Sequence, residues 1–230
     1  CNKPGIEIFS LKNSSYKMRC STNDQLKALA ISKDGEYLAG GSDNGKLYVW
    51  QVNSGYLLRC WRAHFKAIST IQFTDDGAAL ISGSDDSLLR TWLLYDIFAC
   101  FPAAPKPYVS WSQHSLKITD IAIGMSGMLS TIYTISLDRT LKIWDLASKH
   151  MLYSIDFPSY LTCMILDPAE TFLIIGAGNG LLYKIDLLSK SNIDQIEPII
   201  LKKHECEIIS IDLSFNSTLL VSSDINGYNH

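Results

Sequence analysis

Short apolar runs alternate with turn residues along nearly the whole chain, and several runs carry a period of two. AISTIQF, residues 67–73, sets apolar and polar side chains on opposite faces, the pattern of a half-buried strand. Asp75-Asp76-Gly77 follows, a turn of residue types that tolerate unusual backbone angles. Then come the apolar run AALISGS, a second turn at Asp85-Asp86 and the strand LLRTW, with YLLRC preceding the whole. Four short strands at this spacing predict one antiparallel sheet. The plan recurs as LKALAIS, Lys33-Asp34-Gly35, YLAGGS, Asn44-Gly45 and KLYVW, and as ITDIAIG, Ser126-Gly127, IYTISL, Asp138 and TLKIW. It recurs again as LTCMIL, Asp167-Pro168, FLIIGAG, Asn179-Gly180 and LYKI, and as EIISIDL, Asn216, LLVSS and Asn226-Gly227 after His204. No stretch sustains a helical period over three turns.

The units also end alike. LYVW ends at Trp50, LRTW at Trp92, LKIW at Trp144 and LYKI at Ile185, in steps of 42, 52 and 41 residues. IEIF ends at Phe9, another 41 residues before Trp50. A period near 40 is the mark of a radial repeat. Each such sheet buries a face only against its neighbour, so the expected fold is all-β, a β-propeller, as one domain over residues 1–230. The chain starts on Cys1 and stops in mid-pattern at INGYNH. That leads to the expectation of a fragment with exposed strand edges, which template aggregation.

Composition narrows the function. Net charge is −3 and the longest like-charged runs are pairs, so no electrostatic footprint for nucleic acid is present. Hydrophobic content of 47% supplies a core, and no signal peptide or membrane span is visible. The six cysteines form no C-x-x-C pair, which excludes a zinc site of the usual spacing. Cys20 and Cys60 lie in matching stretches, YKMRC and YLLRC, so the period accounts for their spacing and reduced, buried thiols are expected.

Within the repeats, His64, Ser82, Asp86 and Trp92 resemble the His, Ser/Thr, Asp and Trp of the WD-repeat family, as do His114, Thr134, Asp138 and Trp144. In that family the four side chains form a hydrogen-bonded relay inside each blade, and the chemistry is sound: a buried indole N–H needs an acceptor and a buried carboxylate needs donors. Other copies depart from the pattern. Asn44 and Asn179 stand for Asp, Gly40 occupies the Ser slot, Ile185 replaces Trp, Phe9 sits in the first Trp slot, and His204, Ser222 and Asn226 form a partial set. The resemblance implies an incomplete WD-repeat propeller, about five to six blades' worth of a seven-bladed ring.

A longer stretch is more specific. WSQHSLKITDIAIGMSGMLSTIYTISLDRTLKIWDL, Trp111 to Leu146, resembles the WD-repeat subunits of the rixosome, WD-repeat protein eighteen of animals and its fungal counterpart in internal-transcribed-spacer processing. Gln25 to Gly55 and Phe172 to Leu187 are similar to the same subunits. That resemblance implies a non-enzymatic scaffold, without catalytic residues, cofactor or metal, in nuclear maturation of the large ribosomal subunit. Its implied partners are helical-repeat scaffold subunits of the rixosome, pre-60S particles and an AAA ATPase, with little direct contact to nucleic acid and none to membrane. The alternative is another WD-repeat adaptor, such as a ubiquitin-ligase substrate receptor or a signalling scaffold.

Two other signals have simpler readings. Ser82, His64 and Asp86 match the residue types of a hydrolase triad, but a single active site does not recur as Thr134, His114 and Asp138 in the next unit. GAGNG at Gly176 to Gly180 lacks the third glycine of a dinucleotide loop and leads into a strand, so a hairpin turn is expected. The segment YDIFACFPAAPKPYVSW before and through Trp111 carries most of the excess length between Trp92 and Trp144. Pro102, Pro105 and Pro107 favour stiff, extended backbone. Phe98, Phe101, Pro105, Tyr108 and Trp111 are therefore the candidate partner-binding residues, the other outcome being an insert that folds back on its blade.

Overall fold

Strand after strand along this chain pairs antiparallel with the next, as the alternating pattern requires. The computed structural model describes residues 5–10, 15–188, 198–214 and 216–227. Twenty strands form in these residues, and the chain divides into two compact units, Cys1–Ser112 and Gln113–His230.

The first unit opens with a two-stranded sheet of β1 (Gly5–Ser10) and β2 (Ser15–Ser21). A four-stranded sheet follows: β3 (Leu26–Ile31), β4 (Tyr37–Ser42), β5 (Lys46–Gln51) and β6 (Leu57–Arg62). Another comprises β7 (Ile68–Phe73), β8 (Ala79–Ser84), β9 (Leu89–Leu93) and β10 (Val109–Trp111). The second unit has β11 (Ile118–Ile123), β12 (Thr131–Ser136), β13 (Thr140–Asp145) and β14 (His150–Asp156) in one sheet. Its next sheet has β15 (Leu161–Leu166), β16 (Phe172–Ala177), β17 (Leu181–Asp186) and β18 (Ile199–Lys203), followed by the pair β19 (Ile208–Leu213) and β20 (Leu220–Asp224). Every sheet is a meander in chain order. The first hairpin of each four-stranded sheet slips register at the same place, between Leu26/Ala28, Ile68/Thr70, Ile118/Asp120 and Leu161/Cys163. A bulge there bends the strand and raises its twist.

Inside each unit, sheets bury their faces against one another. Ala39, Leu47 and Val49 of one sheet share a core with Ile68, Leu80 and Trp92 of the next. In the second unit Ile135, Leu141 and Ile143 share one with Leu161, Leu173 and Ile185. Polar links cross the same seams: the Asp120 carboxylate accepts from the Met164 N–H at 3.0 Å, and the Thr162 hydroxyl donates to the Ile208 carbonyl at 2.6 Å. This is the blade architecture of a β-propeller, incomplete in this chain.

Two expectations need correction. The insert is not extended throughout, because Leu94–Ala99 forms a short helix, α1. Leu94, Ile97 and Phe98 fall at i, i+3 and i+4, and that stripe packs on the first unit's core, with Phe98 5.5 Å from the Tyr37 ring. The helix stops short of Pro102, whose ring disfavours helical backbone in the residue before it. The thiols are not uniformly buried either. Of the described cysteines, all free, Cys20 and Cys163 are buried, while Cys60 and Cys100 are exposed.

The Asn44-Gly45 hairpin supplies a test. Gly45 has φ +83°, and a Cβ there would lie 2.3 Å from the His64 carbonyl oxygen, whereas Gly35 at φ +72° faces open space. Gly35→Ala is expected to lower stability by about 1–2 kcal/mol, the cost of left-handed backbone alone. Gly45→Ala should cost clearly more, because backbone cannot move aside. Urea unfolding of both variants decides this, and equal losses would contradict the close packing described.

Candidate functional site: the blade relays and the insert

His64 precedes β7, Ser82 lies in β8, Asp86 in the β8–β9 turn and Trp92 in β9. The fold brings all four together. The Trp92 Nε1–H donates to the Ser82 hydroxyl at 3.0 Å, that hydroxyl lies 2.8 Å from His64 Nε2, and His64 Nδ1 lies 3.1 Å from Asp86 Oδ1. Asp86 also accepts from the Phe65 and Leu88 backbone N–H groups, both at 3.0 Å. The second unit repeats the arrangement. The Trp144 Nε1–H donates to the Thr134 hydroxyl at 2.8 Å, which lies 2.8 Å from His114 Nε2, and His114 Nδ1 lies 2.8 Å from Asp138. Asp138 accepts from the Ser115 and Thr140 N–H groups at 3.0 Å and from the Thr140 hydroxyl at 2.6 Å.

One proton assignment satisfies each chain: indole to hydroxyl, hydroxyl to Nε2, Nδ1–H to carboxylate. It requires a neutral imidazole, the tautomer being assigned from the network. Burial holds the His114 pKa below its ordinary 6.5 even though Asp138 pulls it upward. For Asp138, burial alone would raise the pKa, but hydrogen bonds from Thr140, His114 and the Ser115 backbone overcome it and hold it at about 2. Asp86 is likewise brought to about 2 against its burial, by His64 and the Phe65 and Leu88 N–H groups. His114 Nδ1 and Asp138 stand within ion-pair distance, but with the His114 pKa lowered the contact is a hydrogen bond from a neutral imidazole to a charged carboxylate. Ser82 and Thr134 are fully buried, whereas a nucleophile has to stand exposed at a pocket.

The remaining repeats diverge in different ways. His204 Nε2 lies 2.8 Å from the Ser222 hydroxyl, but the carboxylate beside its Nδ1, at 3.5 Å, is Asp224. Asn226, in the expected slot, donates its amide to Cys206 Sγ at 2.9 Å. Sequence spacing missed Asp224 because it stands where the intact repeats have Ser84 and Ser136. In the β3–β6 sheet, Gly40 lies directly under the Trp50 ring, and the Trp50 N–H has no partner among the described residues. Trp50 instead stacks on Tyr48 with ring centroids 5.4 Å apart, and the Tyr48 hydroxyl bonds to the Asp24 carboxylate, which Lys46 also meets at 2.9 Å. In the β15–β18 sheet three of the four relay positions are apolar. Phe157, Ile175 and Ile185 fill the His, Ser and Trp positions, all buried, and only Asn179 persists, accepting from the Leu181 N–H at 3.2 Å.

The insert residues separate in space. Trp111 is buried in β10, Pro105 is buried, Phe98 packs on Tyr37 and Tyr108 is half-buried. Phe101 alone of the five stands out, 75% exposed, with the Arg59 guanidinium 5.2 Å from its ring centre. Trp111 thus belongs to the blade, because β10 supplies the fourth strand that a four-stranded sheet needs. Among the described residues no cluster of three His, Cys, Asp or Glu side chains is placed to hold a metal ion, and no helix is long and apolar enough to cross a membrane.

Comparison with known proteins agrees with this geometry. The family model for the WD domain, G-beta repeat, matches residues 12–51, 55–92 and 105–145, more than half of the chain. The chain belongs to the WD-repeat family. It is 29% identical to the Pre-rRNA-processing protein IPI3 of Yarrowia lipolytica, over 97% of this chain and 55% of that protein. It is 32% identical to WD repeat-containing protein 18 of Bos taurus, over 84% of this chain and 46% of that protein. Protein ROOT INITIATION DEFECTIVE 3 of Arabidopsis thaliana is 34% identical over 70% of this chain and 37% of its own length. The chain spans about half the length of the curated relatives it matches. Among solved structures, a chain in the crystal structure of the mitotic checkpoint complex superposes with a TM-score of 0.82 at 15% identity, over 97% of this chain and 68% of that one, a likeness of fold alone.

The relay has two measurable consequences. Thr134→Val strands the Trp144 N–H and His114 Nε2, and is expected to lower stability by about 1–3 kcal/mol in urea unfolding. The pH dependence follows from linkage. Unfolded His114 takes a proton below about pH 6.5 while the folded imidazole resists, so stability falls as pH drops below that value. Asp86 and Asp138 bind protons near 3.8 when unfolded and near 2 when folded, so a second loss runs from about pH 4 to about pH 2. Thermal melts across this range should show both limbs, and Asp138→Asn should shrink the more acidic one.

Proposed function

We propose that this chain is a non-catalytic WD-repeat scaffold in assembly of the large ribosomal subunit, serving the removal of a spacer from precursor ribosomal RNA. The likeness to IPI3 and WD repeat-containing protein 18 over most of the chain carries this reading. The geometry supports the scaffold part. The side chains that mimic a triad are buried structural groups, and what remains for binding partners is the surface of the blades and the insert. The expected setting is the nucleus. The expected partners are the helical-repeat subunits of a rixosome-like complex, pre-60S particles and their AAA ATPase, joined through protein contacts with little from nucleic acid.

The insert is the first surface to test, and its buried residues are poor targets because Phe98 and Trp111 hold the blade. Affinity purification of the tagged, full-length protein should recover large-subunit precursor particles, and its depletion should raise spacer-containing precursor RNA on Northern blots. Phe101→Ser should weaken recovery of the helical-repeat partner with little change in thermal stability. Recovery of cullin or receptor components without pre-ribosomal particles would move the function to a different adaptor class.

A further inference from the structure

Arg59 is an unusual residue for an outer strand. It lies on β6, the last strand of its sheet, yet it is 92% buried, being 8% exposed. Arg19, its counterpart in the matching YKMRC stretch, is exposed. The difference is the insert, which folds across β6. Arg59 Nη2 donates to the Ala103 carbonyl at 2.6 Å, and the Phe101 ring lies over the guanidinium. Nη1 is buried and has no hydrogen-bond partner among the described residues. Leaving donors of a buried cation unmet is costly, and most such groups in folded proteins are satisfied.

Arg59 also lines a cleft. Between β6 and the insert lies a cavity of about 240 Å³, open to the surface, lined by Arg59, Arg62, Trp61, Phe101, Pro102 and Ala104 among others. Among the described residues no acidic side chain lines it. Arg62, which is exposed, adds a second positive charge, and the exposed faces of Phe101, Leu57 and Leu58 add apolar surface nearby. A guanidinium presents its donors in a fixed fork that matches a carboxylate, and here its position is already held by Ala103 and Phe101, so little ordering remains to oppose binding.

We propose that this cleft docks an acidic side chain, Asp or Glu, of a protein partner, with a neighbouring apolar residue of that partner against Phe101. A nucleic-acid strand is disfavoured, because two arginines cannot track a series of phosphates and the chain carries a net charge of −3. The inference concerns the ligand's chemistry and stands apart from the ribosome-assembly reading.

The test is selection of a random-peptide phage library on the whole 230-residue chain, followed by fluorescence anisotropy with the most enriched synthetic peptide. Enriched peptides should share an Asp or Glu next to an apolar residue. Affinity should fall about tenfold or more in Arg59→Lys and Phe101→Ala, and equally when the peptide's acid is replaced by its amide, while Met125→Ser in the other unit changes nothing. If Arg59→Lys fails to fold, Arg62→Gln and Phe101→Ala, both at exposed positions, carry the comparison. No enrichment, enriched peptides without a shared acid, binding unchanged in these variants, or displacement of the peptide by equimolar poly(U) would each overturn the proposal.

Discussion

An indole N–H closed off from water must find an acceptor, and that requirement organises the intact blades. Trp92 sits on the third strand, and its donor reaches Ser82 on the second. The chain of bonds then runs through His64, which precedes the first strand, to Asp86 in the hairpin turn. Four residues spread over the repeat are joined by three contacts. Asp86 adds a mechanical role, since its carboxylate takes the backbone donors of both the turn and the segment leading into the blade. The second unit repeats every bond with Thr134 in place of Ser82.

The altered repeats show what this network costs and how it is replaced. A polar network that loses one member leaves buried groups unmet, whereas replacing all members by apolar groups of similar shape is close to neutral. The β15–β18 blade comes near the second course, with Phe157, Ile175 and Ile185 in one apolar cluster, Phe157 set edge-on to Tyr183 at 5.1 Å, and only Asn179 left polar. The β3–β6 blade takes a middle course. It keeps Trp50, loses the acceptor at Gly40, and leans on stacking with Tyr48 and on the Asp24–Tyr48–Lys46 group. In the last hairpin the carboxylate reappears two residues early, as Asp224.

The insert, by contrast, reaches the surface of its blade. The insert between β9 and β10 is divided between core and surface. Leu94, Ile97, Phe98 and Trp111 extend the core, while Phe101 remains outside and caps Arg59. The exposed half is tied to the sheet through Arg59, whose guanidinium meets the Phe101 ring and the Ala103 carbonyl.

Period, turn chemistry and strand alternation are local, so the sequence alone determined the all-β class, the four-stranded units and the turns, including the Asn179-Gly180 hairpin. It also determined the members of both intact relays, because their spacing repeats and their chemistry is complementary. Three things were decided only in tertiary structure. The helix α1 is too short for its period to stand out, and it exists because Leu94, Ile97 and Phe98 have a neighbouring sheet to bury against. Asp224 takes the place of the Asn226 slot because the fold, not repeat position, sets which side chain stands beside His204 Nδ1, at 3.5 Å. Arg59 looks like any charged residue on an outer strand, and becomes a buried, half-satisfied guanidinium only when residues 101–104 fold over it. Burial is a property of contacts between segments distant in sequence, which no local pattern encodes.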